Sequence, residues 1–148
     1  MICARAPELD ALQTLAKELG VENQIHLLSF RADVKELLIV ADIFLFTTYQ
    51  EGLPHSMMEA MAAGLPCIAT KTRGNTDLIK DCKDVYLRRP KDIEGFAEAI
   101  KKLTKNAELR THMGLYNLGK VTPYDEENVK KEMKKIYKGA NDKFCQKE

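Results

Sequence analysis

Leu9, Leu12, Leu15, Ala16 and Leu19 recur at three- and four-residue steps, and Gly20 follows them. That spacing puts apolar side chains on one face of a helix over 8–19, and a glycine just past the last turn ends it. QIHLLSF (24–30) predicts a short strand and Asp33 to Ala41 a helix. DIFLFTT (42–48) is an apolar run without polar alternation, which predicts a strand buried on both faces. A helix is expected from His55 to Ala63, with Gly64 beyond its end and Pro66 barring continuation. PCIAT (66–70) predicts a second buried strand, Asn75 to Ile79 a short helix, and DVYLR (84–88) a last strand. Three helices complete the pattern: Ile93 to Leu103, Glu108 to about Leu118, and Glu126 to about Tyr137.

Strands separated by helices at these intervals imply β-α-β units. The expected class is α/β, a Rossmann-like parallel sheet with helices on both faces. Ligands of such sheets bind at the carboxyl ends of the strands. The 148 residues suit one domain, placed at 1–139, with 140–148 expected to be a disordered tail. Hydrophobic residues make up 45% and charged residues 30%, as in an ordinary globular chain, and a net charge of +1 gives no reason to expect a nucleic-acid partner. The segment from about Lys101 leans basic, but acids alternate with its lysines, so it reads as solvated helix faces. The longest apolar run, LLIVADIFLF (37–46), is about half a membrane span and is broken by Asp42. No secretion-signal pattern is found at the start, and Cys3, Cys67, Cys82 and Cys145 form no C-x-x-C pair. A reduced, cytoplasmic compartment is therefore expected, without structural zinc or a disulfide framework.

One stretch carries candidate chemistry: YQEGLPHSMMEAMAAG (49–64). Glu51 falls in the loop after the strand 43–46, and the helix beginning near Pro54 and His55 aims its first N–H groups at the same edge. A helix start can hold an anion, and a diphosphate fits there. Gly52 allows close approach of the backbone, and Pro54 suits the first helical position. Glu59, about one turn into the helix, can accept two hydrogen bonds from a ribose diol, and Glu51 can accept from the hydroxyls of a sugar. Acids near helix starts also complement the dipole, and spacing alone leaves both readings open. Met57, Ala60 and Met61 read as core.

EGLPHSMMEAMAAGLPCIAT resembles the E-x7-E signature of the retaining glycosyltransferases of the family-4 type, or group 1, which have the two-domain GT-B architecture. APELDALQTLAKELGVENQIHLLSF, ADVKELLIVADIFLFTTYQEG and KDIEGFAEAIKKLTKNAELRTHMG extend the likeness over roughly residues 4 to 119, all in the C-terminal, donor-binding half. The resemblance implies Glu59 on the nucleotide ribose and Glu51 on the donor sugar near the reacting centre, the catalytic assignment. It implies the turn Gly52, Leu53, Pro54, His55 and Ser56 on the sugar and diphosphate, and Phe30 and Arg31 near the base. The implied reaction moves a hexose from a UDP- or GDP-sugar to a hydroxyl acceptor with retention of configuration, in polysaccharide assembly. No cofactor is implied beyond that donor, and without a D-x-D motif no metal.

The chain departs from the family pattern at its start. The first strand of the domain, its Gly-rich turn and the Arg and Lys that clamp the phosphates have no counterpart, and Ala4, Arg5, Ala6 and Pro7 stand where the family has Gly-x-Gly-Pro. Lys71 and Arg73 are candidates to supply cations in their place. The expectation is a donor-binding domain inactive by itself, partnered by an N-terminal acceptor domain or by a separate chain supplying it. The alternative is a non-catalytic nucleotide-sugar-binding or interaction module paired with such a chain. Peripheral membrane association through the full-length enzyme, and a homo-oligomer through an exposed sheet or the C-terminal helix, are left open. That helix carries Val129, Met133, Ile136 and Tyr137 on one face.

Overall fold

Along the chain the computed structural model alternates strands and helices, and it describes residues 2–3, 6–79 and 85–145. The elements are β1 (Ile2–Cys3), α1 (Ala6–Glu18), β2 (Leu27–Leu28), α2 (Val34–Ile39), β3 (Phe44–Phe46), α3 (His55–Ala62), β4 (Cys67–Thr70), α4 (Arg73–Leu78), β5 (Val85–Arg88), α5 (Ile93–Lys105), α6 (Ala107–Val121) and α7 (Glu126–Cys145). Every described strand pairing is parallel: β1 with β2, β3 with β4, and β4 with β5. The α/β class with a helix-flanked parallel sheet is the one expected. The strands fall into a pair, β1-β2, and a triplet in the order β3-β4-β5. The chain divides into two compact units, Met1–Leu37 and Leu38–Glu148, where the sequence suggests one domain.

In the first unit α1 ends as its glycine predicts. Gly20 takes φ +65°, its N–H donates to the Lys17 carbonyl at 3.0 Å, and the Val21 N–H donates to Ala16 at 2.9 Å. These two bonds close the orphan carbonyls of the last turn. The strand expected over 24–30 shrinks to Leu27–Leu28. Residues Glu22–Gln24 wind into a 3-10 turn, and β1 offers only two residues to pair with.

The second unit is organised around β4, buried at all four positions as its unbroken apolar pattern predicts. Ile68 packs with Ala99 and Leu103 of α5 and Met113 of α6, flanked by Ile43, Tyr86, Phe96 and Leu109. α3 and α5 lie against the sheet, and α6 packs on both of those helices. β3 is not buried on both faces as expected. It is an edge of the triplet, Phe44 and Phe46 are half-buried, and Leu45, which alternation turns the other way, is 46% exposed. Asp92 caps α5 by accepting from Gly95 N–H at 3.0 Å, and Asn106 caps α6 by accepting from Leu109 N–H at 2.8 Å.

The end of α3 repeats the α1 solution. Gly64 takes φ +74°, Gly64 N–H reaches Met61 O, and Leu65 N–H reaches Ala60 O, both at 3.0 Å. α6 sits directly on this turn: a Cβ at Gly114 would overlap the Gly64 carbonyl oxygen. Three residues on, the buried Asn117 Nδ2 donates to Leu65 O at 2.7 Å. Burial pushes the Cys67 thiol, 3.7 Å from the same Nδ2, up to about 12. α7 runs on as helix beyond Gly139, where the sequence suggests a disordered tail, and 146–148 lie outside the described residues, as do Cys82 and Asp84. Its stripe of Val129, Met133, Ile136 and Tyr137 is exposed. Among the described residues no helix is long and apolar enough to cross a membrane.

Two glycines of one helix should respond oppositely to alanine. Gly114→Ala forces α6 off the Gly64 carbonyl and is expected to cost about 1–3 kcal/mol. At Gly119 a Cβ would meet nothing within 4 Å, so Gly119→Ala should stabilise by roughly 0.5–1 kcal/mol through helix propensity. Urea unfolding of the two variants checks both signs.

Candidate functional site

After Phe46 the chain leaves the carboxyl edge of the triplet as loop 47–54 and returns as α3. Glu51 is half-buried in this loop, Gly52 and Leu53 are exposed, and Pro54 is buried. The loop is tied down from two sides. The Thr70 hydroxyl, at the end of β4, donates to the Thr48 carbonyl and lies 3.5 Å from Phe46 O. The Gly74 N–H, in the first turn of α4, donates to the Glu51 carbonyl at 3.2 Å.

α3 turns Met57, Ala60 and Met61 inward, fully buried, as the core reading predicts. Its outer side carries His55, Ser56 and Glu59, exposed and spaced to share one face. Pro54 is the N-cap, one position earlier than expected: a proline carbonyl can accept although its nitrogen cannot donate. It accepts from Met57 N–H at 3.1 Å and Met58 N–H at 3.0 Å, while His55 N–H donates to Leu53 O at 3.0 Å. The open row of donors expected at this helix start is thereby reduced to the Ser56 N–H among the described residues.

Gly52 faces open space. Its φ is not positive, and a Cβ there would meet nothing within 4 Å, so the chain's own packing does not demand a glycine. What the glycine does is leave space on the open side of the loop. Neither the Glu51 nor the Glu59 carboxylate makes a hydrogen bond or ion pair among the described residues. Glu59 is the fifth residue of α3 and Glu51 precedes the cap by three, so neither sits in the first turn where the dipole reading would place it.

Phe30 and Arg31 belong to the first unit and are described within it. Phe30 is 91% exposed. Arg31 Nε donates to Asp33 Oδ1 at 2.7 Å, and this guanidinium holds the Asp33 carboxyl below its ordinary range. Lys71 and Arg73 are exposed, Arg73 lying 3.8 Å from Asp77. His26 and His112 are exposed bystanders.

The residues that shape the loop were not among the candidates. Asn75 is fully buried, with Nδ2 donating to Thr70 O at 2.7 Å. A Cβ at Gly74 would overlap the Gly52 carbonyl oxygen and lie 2.7 Å from that of Glu51. The signal in the sequence was Gly74 directly before the helix predicted from Asn75.

Residues 1–118 match the family described as "Glycosyl transferases group 1". The chain belongs to the group 1 glycosyl transferases. EpsD of Bacillus subtilis (strain 168) is 32% identical over 130 residues, which cover 88% of this chain and 34% of that protein. The UDP-Gal:alpha-D-GlcNAc-diphosphoundecaprenol alpha-1,3-galactosyltransferase of Escherichia coli is 32% identical over 92 residues, 62% of this chain and 24% of that one. Anabaena HepE, solved in complex with UDP, shares the fold at TM-score 0.83 and 22% identity, over 88% of this chain and 36% of that chain. This group 1 chain thus spans about a third of the length of the relatives it matches.

If Glu59 and His55 serve a ligand rather than the fold, removing them should leave stability almost unchanged. Glu59→Gln and His55→Ala are each expected to shift unfolding free energy by less than about 0.5 kcal/mol, measured by urea titration.

Proposed function

We propose that loop 47–54 and the outer face of α3 bind a nucleoside diphosphate sugar, with UDP or GDP as the nucleotide. Glu59 accepts the two ribose hydroxyls. The Ser56 N–H and the turn from Gly52 to Ser56 meet the diphosphate and sugar, and Glu51 meets the sugar beside the reacting carbon. The observation that carries this reading is Glu51, half-buried in the loop at the carboxyl edge of a parallel sheet, where such sheets bind their ligands, with Glu59 exposed on the helix that follows, neither carboxylate having a partner among the described residues. A carboxylate is an acceptor and suits vicinal hydroxyls. The name of the Escherichia coli relative specifies a UDP-sugar donor, and HepE was solved with UDP, both of which support a nucleotide sugar here.

The chemistry follows as a proposal. The bond from the anomeric carbon to the diphosphate oxygen breaks, the acceptor oxygen bonds that carbon on the same face, and the hydroxyl proton passes to the departing diphosphate oxygen, so configuration is retained. Charge developing on the leaving diphosphate is stabilised by the helix start and by cations. Glu51 orients the sugar rather than forming a covalent glycosyl intermediate. The acceptor is held by polypeptide that the longer relatives possess beyond the region matched here, and the chain contributes the donor side of transfer.

Calorimetric titration of the chain with UDP, GDP and their glucose conjugates tests this. One nucleotide series is expected to bind saturably, and Glu59→Gln should weaken it about tenfold or more, the loss expected for hydrogen bonds to a charged group. Unchanged affinity in Glu59→Gln, or no binding by the folded chain, overturns the assignment.

A further inference from the structure

We propose that Thr70, Gly74 and Asn75 are positioning residues for Glu51, fixing the backbone of loop 47–54 so that the carboxylate is presented at one place. The proposal rests on the donor-site reading above. The loop has little burial to hold it: Thr47, Tyr49, Gln50, Gly52 and Leu53 are all exposed. What holds it is a short relay from the end of β4. The fully buried Asn75 amide donates to the Thr70 carbonyl at 2.7 Å, and Ile79 N–H closes on the Asn75 carbonyl at 3.0 Å, so α4 is locked to the strand end. From that platform two donors reach the loop three residues apart, Thr70 Oγ1 to Thr48 O and Gly74 N–H to Glu51 O. Gly74 must be glycine for the second contact, since a Cβ would overlap the Gly52 carbonyl oxygen.

Asn75 Oδ1, Thr48 Oγ1 and Thr72 Oγ1 are buried with no hydrogen-bond partner among the described residues. The identity of the Asn75 oxygen is fixed by its neighbour: the Thr70 carbonyl requires a donor, so the nitrogen faces it.

The test uses Thr70→Val, which keeps the side chain's shape and removes its hydroxyl, and Thr70→Ser, which restores the hydroxyl. Backbone amide resonances of Glu51 and Gly52 report loop geometry. Titration with the glucose conjugate of whichever nucleotide the chain binds, UDP or GDP, reports function, and the free nucleotide, which lacks the sugar, is the control. Thr70→Val should move both resonances and weaken binding of the sugar conjugate about tenfold, as expected for one misplaced charged hydrogen bond, with little change for the free nucleotide. Thr70→Ser should recover both. Gly74→Ala should act like Thr70→Val, and Gly114→Ala, destabilised at a different contact, should change neither readout. Wild-type resonances in Thr70→Val and Gly74→Ala overturn the proposal, as does equal loss of sugar-conjugate binding in Gly114→Ala. If the wild-type chain binds neither UDP-glucose nor GDP-glucose, the donor reading fails by itself. The amide shifts and their recovery in Thr70→Ser still decide whether these residues position the loop.

Discussion

The second unit depends on how β4 ends. Within the strand, pairing to β3 and β5 satisfies the backbone on both edges. The ladder stops at Thr70, which is itself buried, and its backbone groups must be met locally. The Thr70 carbonyl receives the Asn75 amide at 2.7 Å and the Thr72 N–H at 2.9 Å, and the Lys71 N–H crosses to Arg88 O at 2.7 Å. The first turn of α4 is thus drawn against the carboxyl edge of the sheet, and with it the Gly74 N–H that meets the loop carrying Glu51. An end-of-strand requirement in the core becomes a fixed geometry at the surface.

Glu51 and Glu59 are eight residues apart but are anchored independently. Glu51 is held through its carbonyl by α4. Glu59 rides on α3, whose inner side is Met57, Ala60 and Met61 and whose far end is gripped by α6 at the Gly64 turn. Gly114 lets α6 approach that turn, and Asn117 reads the Leu65 carbonyl beside it. The α4 contact thus holds the loop at Glu51, and the Gly64 turn fixes only the end of α3 beyond Glu59. Neither contact uses a carboxylate.

The helices were legible because their signals are local. The leucine spacing and Gly20 of α1 and the Gly64-Pro66 stop after α3 act within a few residues. β4 was legible because a strand paired on both edges and covered shows an unbroken apolar run. β3 shows the same run and is an edge, since pairing partners are decided by distant residues. α7 passes Gly139 because a glycine weakens a helix by only about 1 kcal/mol without forbidding it. Glu51 and Glu59 were found through their address beside a strand end and through the family signature. Thr70 was not, since its hydroxyl acts on a carbonyl 22 residues away and leaves no periodic trace.

The charge balance of the site narrows what holds a donor. Pro54 and Leu53 engage three of the first four amides of α3, so on the proposed donor reading a diphosphate would meet the Ser56 N–H rather than a full helix start. Just past β4, Lys71 and Arg73 are both exposed, and the Arg73–Asp77 pair at 3.8 Å is of the surface kind worth little in water. The attraction these two cations could offer a phosphate is therefore modest and screened by salt. On the proposed donor reading, the directional part of recognition would fall to hydrogen bonds accepted by the carboxylates, and discrimination within this unit would rest on the hydroxyls of ribose and sugar. A small displacement of the Glu51 loop then matters more than the loss of any single surface cation.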